Sequence, residues 1–148
     1  MMKSDYRIET LAQQTALSAF ALLHLVEPSF PVEDWDALAA AGSGWTCVVA
    51  QDQQGYIRGL AVYRTRRHPV AGDLMDVPIF IAASVADDAG IAEQAFEWLR
   101  NRASRCSYIR VWSAIPKALA YMQDEDAFAR WDHGLIYRVQ SKAPPALL

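Results

Sequence analysis

The sequence predicts a mixed α/β fold: one sheet with both parallel and antiparallel strand pairs, carrying helices. Three observations predict it. Val77-Pro78-Ile79-Phe80-Ile81-Ala82-Ala83 is a near-continuous apolar run, as a strand covered on both faces requires. From Ala89 the period changes: Ile91, Ala92, Ala95, Phe96, Leu99, Ala103 and Cys106 recur at three- and four-residue steps, which makes one apolar helical face. Tyr108-Ile109-Arg110-Val111-Trp112 then reads as another strand, so strand, helix and strand form a right-handed parallel crossover.

The other elements follow in order. Tyr6–Leu11 alternates as a first strand. Gln13–Val26 is helical, with Leu17, Phe20, Ala21, Leu23 and His24 on its apolar face, and Pro28 stops it. A second helix places Trp35, Leu38 and Ala39 inward and Glu33, Asp34 and Asp36 outward near its start, before Gly42-Ser43-Gly44 ends it. Trp45–Gln51 and Tyr56–Arg64 are two strands joined by the turn Asp52-Gln53-Gln54-Gly55. Arg64-Thr65-Arg66-Arg67-His68-Pro69 reads as a basic loop, either a solvated hairpin tip or a binding patch. Asp73–Ala83 is the fourth strand and Tyr108–Trp112 the fifth. Pro116 opens a short helix over Lys117–Gln123. Phe128–Gln140 reads as a closing hairpin with Asp132-His133-Gly134 as its turn. Ser141–Leu148 reads as a frayed tail.

At 148 residues the length prior is one domain. Composition is that of a soluble globular protein, 53% apolar and 21% charged, and the net charge of −3 gives no reason to expect nucleic acid or an acidic membrane as partner. No apolar run approaches a membrane span, and Met1-Met2-Lys3-Ser4-Asp5 leads into charged sequence, so a cytoplasmic location is expected. Cys47 and Cys106 lie in apolar contexts and read as reduced, buried thiols, with a disulfide or a reactive thiol as the alternative; neither has metal-ligand spacing. There is no Walker loop and no nucleophile–base signature. His24 reads as a packed side chain, and His68 and His133 as loop and turn residues.

A strand running straight into a helix N-terminus presents free amides and a positive dipole end to an anion. The plain alternative is an ordinary strand–helix unit whose aspartates, Asp87 and Asp88, cap the helix. Asp87-Asp88-Ala89-Gly90-Ile91-Ala92 resembles the pyrophosphate-binding loop of the GNAT acyltransferase superfamily, Arg/Gln-x-x-Gly-x-Gly/Ala. Gly90, Ile91 and Ala92 fit it; Asp87 stands where that family carries Arg or Gln, and Asp88 where it carries Gly. Val48-Val49-Ala50-Gln51 and Gly55–Val62 resemble the second and third GNAT strands, down to Gly59. The element order β-α-α-β-β-β-α-β-α-β-β is the GNAT order and spans Tyr6 to Val139.

The resemblance implies an acetyl-CoA-dependent N-acyltransferase that moves an acyl group directly to a small-molecule amine, with acetyl-CoA as co-substrate and a homodimer as a possible assembly. It places donor contacts at Ala82, Ala83 and Ser84, where the fourth and fifth strands part, and at Ala89, Gly90, Ile91 and Ala92 for the pyrophosphate. Ala118-Leu119-Ala120-Tyr121, followed by Phe128, is similar to the family's segment carrying the acid, which implies Tyr121 as proton donor to the thiolate; packing is its alternative role. Asp76 is the candidate base, with a solvent-facing strand end as the alternative. Glu33, Asp34 and Asp36 border the implied acceptor site or form a solvated helix start.

Two aspartates about 6 Å from a pyrophosphate repel it by roughly 2–3 kcal/mol each at an effective dielectric near 20. That repulsion motivates a second reading: a GNAT-fold domain that has lost donor binding and serves as a binding or dimerisation module. A third reading, an unrelated α+β domain, requires that the fourth and fifth strands are not parallel neighbours.

Overall fold

The computed structural model describes residues 5–83 and 90–139. Six strands form one sheet in sequential order: β1 Arg7–Thr10, β2 Thr46–Gln51, β3 Ile57–His68, β4 Gly72–Ala82, β5 Tyr108–Val111 and β6 Leu135–Arg138. All neighbours are antiparallel except β4 and β5, which are parallel with Leu74 beside Tyr108 and Val77 beside Val111. The parallel pair excludes the unrelated α+β reading.

Helices α1 (Ala16–Val26) and α2 (Val32–Ala39) cover one face; α3 (Gly90–Arg102) covers the other. On the first face Leu22, Leu23, Trp35 and Leu38 pack with Val49, Leu60, Val62, Ile79 and Ile81. On the second, Leu99 and Ala103 pack with Ala61, Met75, Val77 and Ile109. The face α1 buries differs from the expected one. Ala19, Leu22 and Leu23 are inside, whereas Leu17 is 77% exposed and Ala21 and His24 face solvent. Nearly every residue of α1 is apolar, so its own period discriminates poorly; contact with β3 and α2 selects the buried stripe.

β3 runs on to His68, so the expected basic loop is strand. Arg64, Arg66 and His68 pair with Asp76, Leu74 and Gly72 of β4. Their side chains find partners far along the chain: Arg66 forms a two-pronged ion pair with Glu125 and lies 4.0 Å over the Phe128 ring, and His68 is buried beside Phe128.

The closing hairpin is half right. β6 and the turn at Gly134 form, but the first arm is helical: α4 (Leu119–Met122) and α5 (Glu125–Ala129) precede β6. Asp124 caps α5 by accepting from the amides of Asp126 and Ala127, and Glu125 and Asp126 occupy its first turn, where the dipole favours acids. Phe128 is thereby buried against Ala71 and Leu74 instead of joining a strand.

Gly59 seats α3 on the sheet. A Cβ there would lie 3.2 Å from Ala50 Cβ, from the Ile81 carbonyl and from Ile91 Cδ1. The missing side chain makes room for Ile91 in the first turn of α3. Both cysteines are free thiols; burial pushes that of Cys47 up to about 12, which leaves it inert.

Candidate active site at the divergence of β4 and β5

Val62 of β3 pairs with Ile79 and Arg64 with Asp76, so two steps along β3 oppose three along β4. β4 therefore carries a bulge at Val77-Pro78, where proline has no amide hydrogen to contribute to a ladder. The extra residue reverses side-chain alternation. Before it, Met75 and Val77 face α3; after it, Ile79 and Ile81 face α1 and α2.

The last bond joining β4 to β5 runs from the Trp112 amide to the Val77 carbonyl, 3.0 Å. Beyond it β4 continues to Ala82, while the chain after β5 turns to the α1/α2 face, where Ile115, Leu119 and Met122 join the core. Ala83 donates its amide to the Arg58 carbonyl at 2.8 Å. Antiparallel alternation then turns the amides of Ile79 and Ile81 toward β3, and those of Phe80 and Ala82 toward the edge that β5 has left. No strand lies beside that edge among the described residues.

The edge opens on the α3 side into an apolar groove of about 700 Å³. Phe80, Ala92, Phe96, Val111, Leu135 and Tyr137 line it, and Glu93 and Glu97 of α3 also border it. The Phe96 and Tyr137 rings meet edge to face, 5.2 Å between centroids. An uncharged, largely aliphatic arm suits these walls.

The opposite side is polar, and at its base an ion pair is sealed from solvent. The side chains of Asp76 and Arg110 are both 0% exposed. Asp76 Oδ1 accepts from Arg110 Nε at 3.0 Å and from the Trp112 indole at 2.9 Å. The two remaining arms of the guanidinium donate to the carbonyls of Arg130, 2.6 Å, and Phe128, 3.2 Å. One buried arginine thus ties the segment after α5 to the sheet at the point of divergence. His133 stands edge-on to Trp112, 5.5 Å between centroids. Its turn is held by Gly134, whose φ is +84° and where a Cβ would come within 2.7 Å of the Val111 carbonyl.

The sequence-derived candidates divide as follows. Gly90 and Ile91 are buried in the first turn of α3, and Ala92 lines the groove. Ala82 and Ala83 are exposed at the end of β4, with the Ala83 amide already bonded to β3. Ser84 and Ala89, with Asp87 and Asp88, lie outside the described residues. Asp76 is no solvent-facing strand end: Arg110, 34 positions away, buries it as an ion pair. Tyr121 is 58% exposed on α4. Asp34 is half-buried; it accepts from the Leu119 amide at 3.1 Å and ties α4 to α2. Arg110, Trp112 and His133 escaped sequence reasoning. A lone arginine inside an apolar strand, Ile109-Arg110-Val111, was the available sign of a buried charge.

Sequential strands, one parallel pair that diverges at a bulge, and a helix entering beside the divergence define the GNAT acetyltransferase fold. Solved structures carry the likeness. One is the aminoglycoside N-acetyltransferase AAC(6')-Iy in complex with CoA, with TM-score 0.64 and 12% identity, covering 96% of this chain and 98% of that chain. Another is the aminoglycoside 6'-N-acetyltransferase AAC(6')-Ih from Acinetobacter baumannii, with TM-score 0.63 and 10% identity, covering 95% and 100%. A third is a GNAT family N-acetyltransferase from Escherichia coli in complex with CoA, with TM-score 0.57 and 13% identity, covering 76% and 64%. No family model matches the chain, and no curated protein matches it in sequence.

Proposed function

We propose that the protein is an acyl-CoA-dependent N-acyltransferase acting on a small-molecule amine, with acetyl-CoA as the donor. The observation that carries this reading is the open β4 edge. Amides of Phe80 and Ala82 turn toward a gap that begins at the Val77–Trp112 bond, above a groove whose walls suit a pantetheine arm. Amides fixed in a strand can polarise a thioester carbonyl and stabilise the oxyanion that forms when an amine attacks it. In this reading Gly90, Ile91 and Ala92, with Ala89 ahead of them, hold the pyrophosphate. Ala82, Ala83 and Ser84 flank the thioester, and Ala83 does so without its amide. Tyr121 protonates the leaving thiolate, an assignment that rests on the resemblance of Ala118–Tyr121 alone. Asp76 is left out of the proton path, because its buried carboxylate already neutralises Arg110.

Isothermal titration with acetyl-CoA tests the reading. Micromolar binding is expected; absence of heat at millimolar ligand overturns it and leaves the donor-free binding module, which Asp87 and Asp88 favour by their charge. In the same titration Asp87→Arg removes one repulsion of roughly 2–3 kcal/mol and should tighten binding by about a hundredfold.

A further inference from the structure

We propose that His133, through its Nε2, is the general base that takes the proton from the acceptor amine; the assignment rests on the acyltransferase reading above. Three observations place it. The ring stands against Trp112, the residue at which β5 leaves β4. Gly134 locks the turn against the Val111 carbonyl, so the ring is held by backbone packing as a positioned base must be. The two ring nitrogens are unequal: Nδ1 is buried without a hydrogen-bond partner among the described residues, 3.7 Å from Asp132 Oδ1. A proton on Nδ1 faces that carboxylate, which leaves the lone pair on Nε2.

The surroundings keep the imidazole neutral. Burial, then the positive charges of Arg110 and Arg130, hold His133 below the ordinary histidine value, and the carboxylates Asp132 and Asp76 offset this only in part. A neutral imidazole at pH 7 is ready to accept a proton.

The step balances as follows. Nε2 takes a proton from the ammonium form, and the freed amine attacks the thioester carbonyl. The C–N bond forms and the C–S bond breaks. The departing thiolate takes a proton from the Tyr121 hydroxyl, the second amine proton returns to that phenolate through solvent, and the imidazolium gives the first proton to water.

The test compares acceptors that do and do not need deprotonation. Thiol release from acetyl-CoA is followed with a panel of basic primary amines (an alkylamine, a diamine, an aminosugar) and, separately, with hydroxylamine, which is already neutral at pH 7. His133→Gln should lose on the order of 100-fold or more with the basic amines. It should retain hydroxylamine turnover within a few-fold, which also reports that the variant is folded. In the wild type the basic-amine rate should show an acid limb centred below pH 6.5, the ordinary histidine value, and the variant should lack it. Equal losses with both acceptor types assign His133 a structural role and overturn the proposal, as does an undiminished rate with the basic amines. Wild-type turnover of none of the acceptors overturns the acyltransferase reading itself, and this assignment with it.

Discussion

Arg110→Met isolates the contact that joins the two halves of the site. Methionine fits the length of the arginine stem, so the change removes charge and donors more than volume. Three things are then lost. The Asp76 carboxylate, 0% exposed, keeps only the Trp112 indole as partner. The Arg130 carbonyl loses its 2.6 Å donor. The Phe128 carbonyl loses one donor but keeps His68 Nε2 at 2.9 Å. Removing one partner of a buried ion pair costs about 3–5 kcal/mol, because the other charge is left uncompensated. We therefore expect about 4 kcal/mol of destabilisation, a large part of the whole stability of a domain this size. With a urea slope of about 2 kcal/mol per molar, the unfolding midpoint falls by about 2 M. Asp76→Asn together with Arg110→Met removes the orphaned charge and should recover on the order of 1–3 kcal/mol. Arg110→Lys, which keeps the charge but not the fork, should fall between wild type and methionine. The measurement is equilibrium urea unfolding at pH 7 followed by tryptophan fluorescence. A loss below about 1 kcal/mol for Arg110→Met, or strict additivity in the double variant, refutes the view that this pair anchors the segment after α5.

Two further outcomes follow from the same region. Gly134→Ala forces a Cβ to within 2.7 Å of the Val111 carbonyl at a positive φ, so it should cost more than about 1 kcal/mol and lower the thermal midpoint by several degrees. A neutral result would mean that the turn shifts freely and does not fix His133. Stability should also depend on pH through His133. Its folded value lies below the unfolded 6.5, so on acidification the unfolded chain takes up the proton first. The contribution is complete above pH 6.5 and is lost as pH falls through the folded value. Urea midpoints measured from pH 8 downward should therefore drop below pH 6.5, and His133→Gln should flatten that part of the curve.

The residues of the chain, read in order, were enough for the parallel crossover, the β2–β3 hairpin and the turn before β6, whereas the role of Gly59 in seating α3 came from the structure. Each of the former rests on a local cause: an apolar run, a three-and-four period, or a residue without a side chain. These causes act over a few positions and are visible in a window of that size. What tertiary structure alone decided is where charge goes. Arg66 is strand because it pairs with Leu74 of β4, and its charge meets Glu125, 59 positions on. Phe128 is helical because Asp124 caps a turn that lets the ring fill the space beside Leu74. Asp76 changes from a reachable carboxylate to a buried counter-ion because Arg110 arrives from β5. A polar side chain is tolerated inside a protein only when its hydrogen bonds are met. Partners that meet them come from distant segments, so only the folded chain shows which polar groups, Asp76 and Arg110 among them, are locked away from solvent.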